Sequence, residues 1–228
     1  MSPTPVPVTD GAPLNDELLA AYTVMIRGAD LVSRAFIRLA DGAAVDTQTL
    51  VATARWLVAF VRRHRHTEDE HVWPLLRARC PESVRSLDLL HEDDNALAEG
   101  LDELESVIER ISEERRVGGT VSWGHAMREG TLASRRVGHG LRAHVAVVQP
   151  LLKELFAQAG EEDLRTLGTA AAEGVLRGEP QMVLGFLEHP EPVPGRERVY
   201  AGFPPPTRWA RGVLMHRFRR TLRDLAAD

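Results

Sequence analysis

Apolar side chains recur at three- and four-residue intervals over long stretches of this chain, the period of helices packed along one side. The first such seam is Leu18, Tyr22, Met25, Ala29, Val32, Phe36 and Leu39, and it predicts a helix from about Leu14 to Ala40, ended by Asp41-Gly42. A second helix is expected from about Asp46 to Arg79, with Pro74 as a kink or register break near its end and Cys80-Pro81 as the turn. A third, from about Pro81 to Arg116, carries Leu87, Leu90, Asp94, Leu97, Leu101, Leu104, Ile108 and Ile111. After a break at Val117-Gly118-Gly119, a fourth runs from about Ser122 to Gln158, with Val137, Leu141, His144, Val148, Leu151 and Leu155 on one face. Long helices joined by short turns predict an all-α protein, an up-down-up-down four-helix bundle over residues 14–160.

The flanks read differently. Residues 1–13 are polar and Pro-rich and are expected to form a disordered leader, with neither the basic nor the apolar region of a signal peptide. Residues 161–228 are expected to be an accessory helical segment: a shorter helical region over about 161–188, a Pro-rich linker from His189, and a basic amphipathic helix from Thr207 to about Ala226. That last helix combines Arg208, Arg211, Arg217, Arg219, Arg220 and Arg223 with Trp209, Val213, Leu214, Phe218, Leu222 and Leu225. Packing of the apolar stripe on the bundle is the favoured reading, with docking on a membrane surface or a protein partner as the lesser one.

Composition narrows the classes. A net charge of -5 gives no global nucleic-acid footprint, so no nucleic-acid partner is expected. Cys80 is the only cysteine, which excludes an internal disulfide and cysteine-based zinc sites and suits a cytoplasmic setting. No run of apolar residues is long enough for a membrane span. Phosphate-cradling glycine loops, nucleophile elbows and zinc-finger spacings are missing from the sequence.

The chemistry lies in polar residues on the apolar seams, because burying them costs free energy unless they are paired or bound to metal. Residues 63–71 hold two overlapping His-x-x-x-Glu pairs, His64/Glu68 and His66/Glu70, each one turn apart on a helix. The His64 face continues through Leu57, Phe60, Val61, His71 and Leu75, whereas the His66 face continues through Ala59, Arg62, Arg63 and Trp73. The more apolar set puts His64 and Glu68 inward, with His71 at the edge. Asp94 sits on the third seam with His91 three residues earlier, His144 on the fourth, and Tyr22 on the first. Each alone has an ordinary structural reading: an Asp–Arg pair, a hydrogen-bonded core histidine, a packed tyrosine. Together, imidazoles and carboxylates in a bundle core form a donor set suited to iron, manganese or zinc, and two His with one carboxylate suit non-haem iron.

The stretch from His64 to Leu76 resembles the second helix of hemerythrin-like (HHE cation-binding) domains, in which a His-x-x-x-Glu pair is followed shortly by Pro. Leu141-Arg-Ala-His144-Val resembles that family's fourth-helix motif, and Phe203-Pro-Pro-Pro with its Arg-rich helix resembles the tail of actinobacterial members. The resemblance implies a bundle with a non-haem iron site of one or two ions. Its expected ligands are His64, Glu68, His91, Asp94 and His144, with Tyr22 as an additional contact. It also implies a small-molecule partner such as O₂, NO or peroxide. The sequence departs from the family pattern at three places: Thr23 stands where helix one carries a His, Asp94 where helix three carries a ligand His, and Val148 where helix four carries a carboxylate. A remodelled site is therefore expected. Its alternatives are a metal-free enzyme using Asp94, Glu68 and His144 as acid–base groups on an unknown organic substrate, and a non-catalytic interaction module.

Overall fold

A computed structural model of the chain describes residues 11–117, 123–176 and 179–225, and among them there are helices and no strand. Helix α1 spans Ala12–Ala40 and α2 spans Thr47–Thr67. A π-helical turn, Glu68–Val72, carries α2 directly into α3, Trp73–Arg79. A 3-10 turn at Pro81–Ser83 leads into α4, Val84–Val117, and α5 spans Trp123–Gln158. The remaining helices are α6 (Glu161–Leu176), α7 (Pro180–Glu188), α8 (Arg196–Gly202), α9 (Pro205–Trp209) and α10 (Arg211–Asp224).

The boundaries have local causes. Asp46 caps α2 by accepting the Thr49 N–H at 2.6 Å, which satisfies one of the orphan amides of the first turn. Past the end of α1, Gly42 takes a positive φ of 81°, and the chain turns there at no steric cost. Helix α1 opens at Ala12, two residues before the expected start, and α4 opens at Val84 because the 3-10 turn occupies Pro81–Ser83. The helical region expected over about 161–188 holds two helices, α6 and α7, and the basic helix is divided at Ala210, whose ψ near 4° marks a turn between α9 and α10.

Helix α5 packs against both α1 and α4, while α2 packs against α1 and α4, so the four long helices touch in a closed ring. The core on these helices includes Met25, Val32, Phe36, Leu57, Val61, Leu97, Leu104, Val137, Leu141 and Val148, all buried. Close approach depends on Gly130 of α5: a Cβ there would run into the Phe36 ring of α1. Helices α6 and α7 lie against this group, and α10 covers α7. Phe218 of α10 is fully buried and meets Phe186 of α7 edge-on with ring centroids 5.0 Å apart. Burial of aromatic side chains at that junction ties the C-terminal segment to the rest of the fold. Arg27 of α1 adds a polar clamp, donating to the carbonyls of Phe186, His189 and Glu191 at 2.8–2.9 Å. No helix among the described residues is long and apolar enough to cross a membrane.

Candidate functional site

Three buried polar residues, His64, Glu68 and His144, converge with Tyr22 in the interior. Tyr22 of α1, His64 of α2, Glu68 at the start of the π turn and His144 of α5 are each between 2% and 6% exposed. Tyr22 donates its phenol hydrogen to Glu68 Oε1. His144 Nε2 lies 3.3 Å from Glu68 Oε1 and the same distance from Oε2. His64 Nε2 lies 3.6 Å from Oε1, too far for a hydrogen bond, and among the described residues this buried nitrogen has no hydrogen-bond partner. The Tyr22 ring meets the His64 ring edge-on at 4.7 Å and the His144 ring tilted at 5.7 Å. Trp73 closes the far side of His144 edge-on at 6.3 Å.

The π turn explains how Glu68 and Trp73 reach the same interior. Pro74 has no N–H and cannot continue the i to i−4 ladder. One residue earlier the ladder is already displaced, with the Trp73 N–H donating to the Glu68 carbonyl five residues back. The turn holds one extra residue, so every side chain beyond it is rotated relative to a regular helix. The inward face therefore passes from His64 and Glu68 to Val72, Trp73 and Leu76, all buried. His71 keeps 39% side-chain exposure, at the edge where the sequence reading put it, and Leu75, expected to continue the inward face, is only partly buried. Trp73, placed by regular spacing on the outer face with His66, is 5% exposed. His66 and Glu70 do face outward, pairing with each other at 3.3 Å at the surface. Pro74 was the one sequence signal that could have placed the shift, since π turns accompany such ladder defects and concentrate at functional sites.

Opposing effects set the charge states. Burial pushes the Glu68 carboxyl up, but the His144 hydrogen bond, the neighbouring imidazoles His64 and His144, and the Tyr22 hydroxyl outweigh it, and the net direction is down. Glu68 is thus held as a buried carboxylate. For His64 burial is the largest effect and lowers its pKa; Glu68 pulls the other way, and His144 adds a further lowering. His64 is held neutral, with a ring nitrogen facing the carboxylate.

Of the residues singled out in the sequence, the structure brings together Tyr22, His64, Glu68 and His144. His91 and Asp94 fall on α4, but their side chains lie outside the described residues. Among the described residues, no three His, Cys, Asp or Glu side chains are arranged to hold a metal ion: His64 and His144 each face Glu68. The donor types suit a cation nonetheless, since two imidazoles and a carboxylate are the ligands that iron, manganese and zinc take. The His64 nitrogen, one of several buried side-chain atoms without a hydrogen-bond partner among the described residues, faces the Glu68 carboxylate and is open to a further partner. Comparison with protein-family models, with curated proteins and with solved structures gives no match to this chain.

Proposed function

We propose that this chain is a hemerythrin-like four-helix bundle that binds a non-haem iron ion through His64, Glu68 and His144 and handles O₂, NO or peroxide. The observation that carries the reading is the buried convergence of those three side chains, one of them with an unsatisfied nitrogen. The closed ring of α1, α2, α4 and α5 supports the bundle. The reading also takes as further ligands the sequence candidates His91 and Asp94 of α4, whose side chains lie outside the described residues, because the described side chains alone do not complete a site.

The chain's own residues have distinct parts to play. His64 is kept neutral by burial, the form in which an imidazole offers a lone pair. Glu68 supplies the negative charge, and the Tyr22 hydroxyl fixes the direction of its carboxylate. Trp73 lies edge-on to His144, and the site side chains are all buried away from bulk water. Bound iron would supply one-electron chemistry toward a small oxidant or NO.

The double substitution His64→Ala with Glu68→Ala tests the ligand assignment. Metal content should fall to background while the helical circular dichroism is retained; unchanged metal content would sink it.

A second reading is favoured by the hydrogen bonding of Glu68. Its carboxylate is already engaged by Tyr22 and His144, which makes a buried proton-linked chain of three groups. Such a chain suits acid–base work without metal, on an organic substrate. This reading predicts an activity that survives chelator.

A further inference from the structure

Helix α10 buries Leu214, Phe218 and Leu222, and Leu225 just beyond it. Trp209 and Val213 are left outside, 84% and 58% exposed, although they belong to the same amphipathic stretch. Val213, His216, Arg220 and Arg223 line one side of α10, Trp209 ends α9 just before the turn at Ala210, and all five are exposed. Over residues 207–225 six arginines stand against one acid, Asp224, in a chain whose net charge is -5.

These arginines differ from those on the long helices. Arg62 and Arg142, for example, are each seated on carboxylates of a neighbouring helix at 2.6–2.7 Å. In the C-terminal stretch Arg211 is used internally, bound to Glu188 at 2.6 Å and lying over the Tyr200 ring. Arg220 has only a loose i,i+4 contact to Asp224 at 3.6 Å. Among the described residues, no acid pairs with Arg208, Arg217, Arg219 or Arg223. The Tyr200 hydroxyl donates to the Arg208 carbonyl at 2.8 Å and so ties α9 to α8 beside Trp209.

We propose that the outer face of α9–α10 docks on an anionic phospholipid surface, with Trp209 and Val213 entering the headgroup region and Arg217, Arg220 and Arg223 meeting the lipid phosphates. The charge excess supplies the complementarity. The exposed Trp decides between acceptors: an amphipathic ring beside an apolar Val gains from a lipid interface and gains nothing from a phosphate backbone alone. With so few apolar groups available, the attachment is weak, reversible and salt-sensitive.

Trp209 also reports on the test. Trp56 and Trp73 are buried and Trp123 is partly buried, so a change in the exposed indole dominates the fluorescence. Full-length protein is titrated with phosphatidylcholine vesicles with and without phosphatidylglycerol, and separately with duplex DNA. The emission is expected to shift to the blue, and the protein to sediment, with the anionic vesicles only, and added salt reverses both. Charge reversal in Arg217→Glu, Arg220→Glu, Arg223→Glu should weaken vesicle binding by at least about a hundredfold, since losing each arginine near the surface alone costs roughly fivefold. Trp209→Ala, a surface change that leaves the helix packing intact, should abolish the blue shift and weaken sedimentation. Equal binding to neutral vesicles, unchanged binding by the triple variant, or binding to duplex DNA with none to vesicles would each overturn the proposal.

Discussion

His144 Nε2 sits 3.3 Å from both carboxylate oxygens of Glu68, across the interior from a residue 76 positions earlier in the chain. That contact joins α5 to the π turn after α2 inside a mainly apolar core. The charge of this one carboxylate governs both the response of the fold to acid and the fit of the site to a cation.

Acid should weaken the fold in two stages when the protein is stripped of metal. A neutral buried His64 has a lowered pKa, so unfolding takes up a proton as pH falls below the ordinary value of 6.5, and stability declines from there. Glu68 is also lowered; its contribution is complete above the ordinary 4.5 and is lost as pH drops through the folded value. Urea midpoints measured across this range should fall with acidification, and the first stage should vanish in His64→Gln. A midpoint that rises on acidification would contradict the assigned charge states.

Tyr22→Phe removes one hydrogen bond to a buried carboxylate and little volume. A hydrogen bond to a charged group is worth about 1.5–3 kcal/mol, and the variant should lose that much stability by urea denaturation at neutral pH. No measurable loss would mean that Tyr22 only packs.

The long helices are readable in the sequence because their apolar period is sustained, and His64, Glu68, His144 and Tyr22 stand out because each interrupts such a seam. The placement of Trp73 beside His144 is not readable in the same way. It depends on a single extra residue in one helical turn, and regular spacing carries a face straight through such a defect. Pro74 marks the place without stating the sign or size of the rotation. The C-terminal helix shows a different limit. Its apolar residues form one stripe in the sequence, yet the structure buries Leu214, Phe218, Leu222 and Leu225 and leaves Trp209 and Val213 outside. Amphipathicity says that a face is apolar, and only the neighbouring surface decides how much of it is covered.

That division yields a paired prediction. Phe218→Ala empties a fully buried site against Phe186 and should cost about 3–5 kcal/mol. Gly185→Ala should loosen the same junction, because a Cβ at Gly185 would run into the Phe218 ring. Trp209→Ala should change stability by less than about 0.5 kcal/mol. Thermal melts of the three variants check this, and similar losses in all of them would mean that Trp209 is packed in solution.

The most direct test of the metal reading is elemental mass spectrometry on freshly purified protein, with an absorption spectrum from the same sample. Stoichiometric iron and near-ultraviolet charge-transfer bands are expected on this reading, with loss of both in the His64→Ala, Glu68→Ala variant. Protein that carries no metal, even after anaerobic reconstitution with Fe(II), would contradict it and leave Glu68, His144 and Tyr22 as a metal-free acid–base cluster.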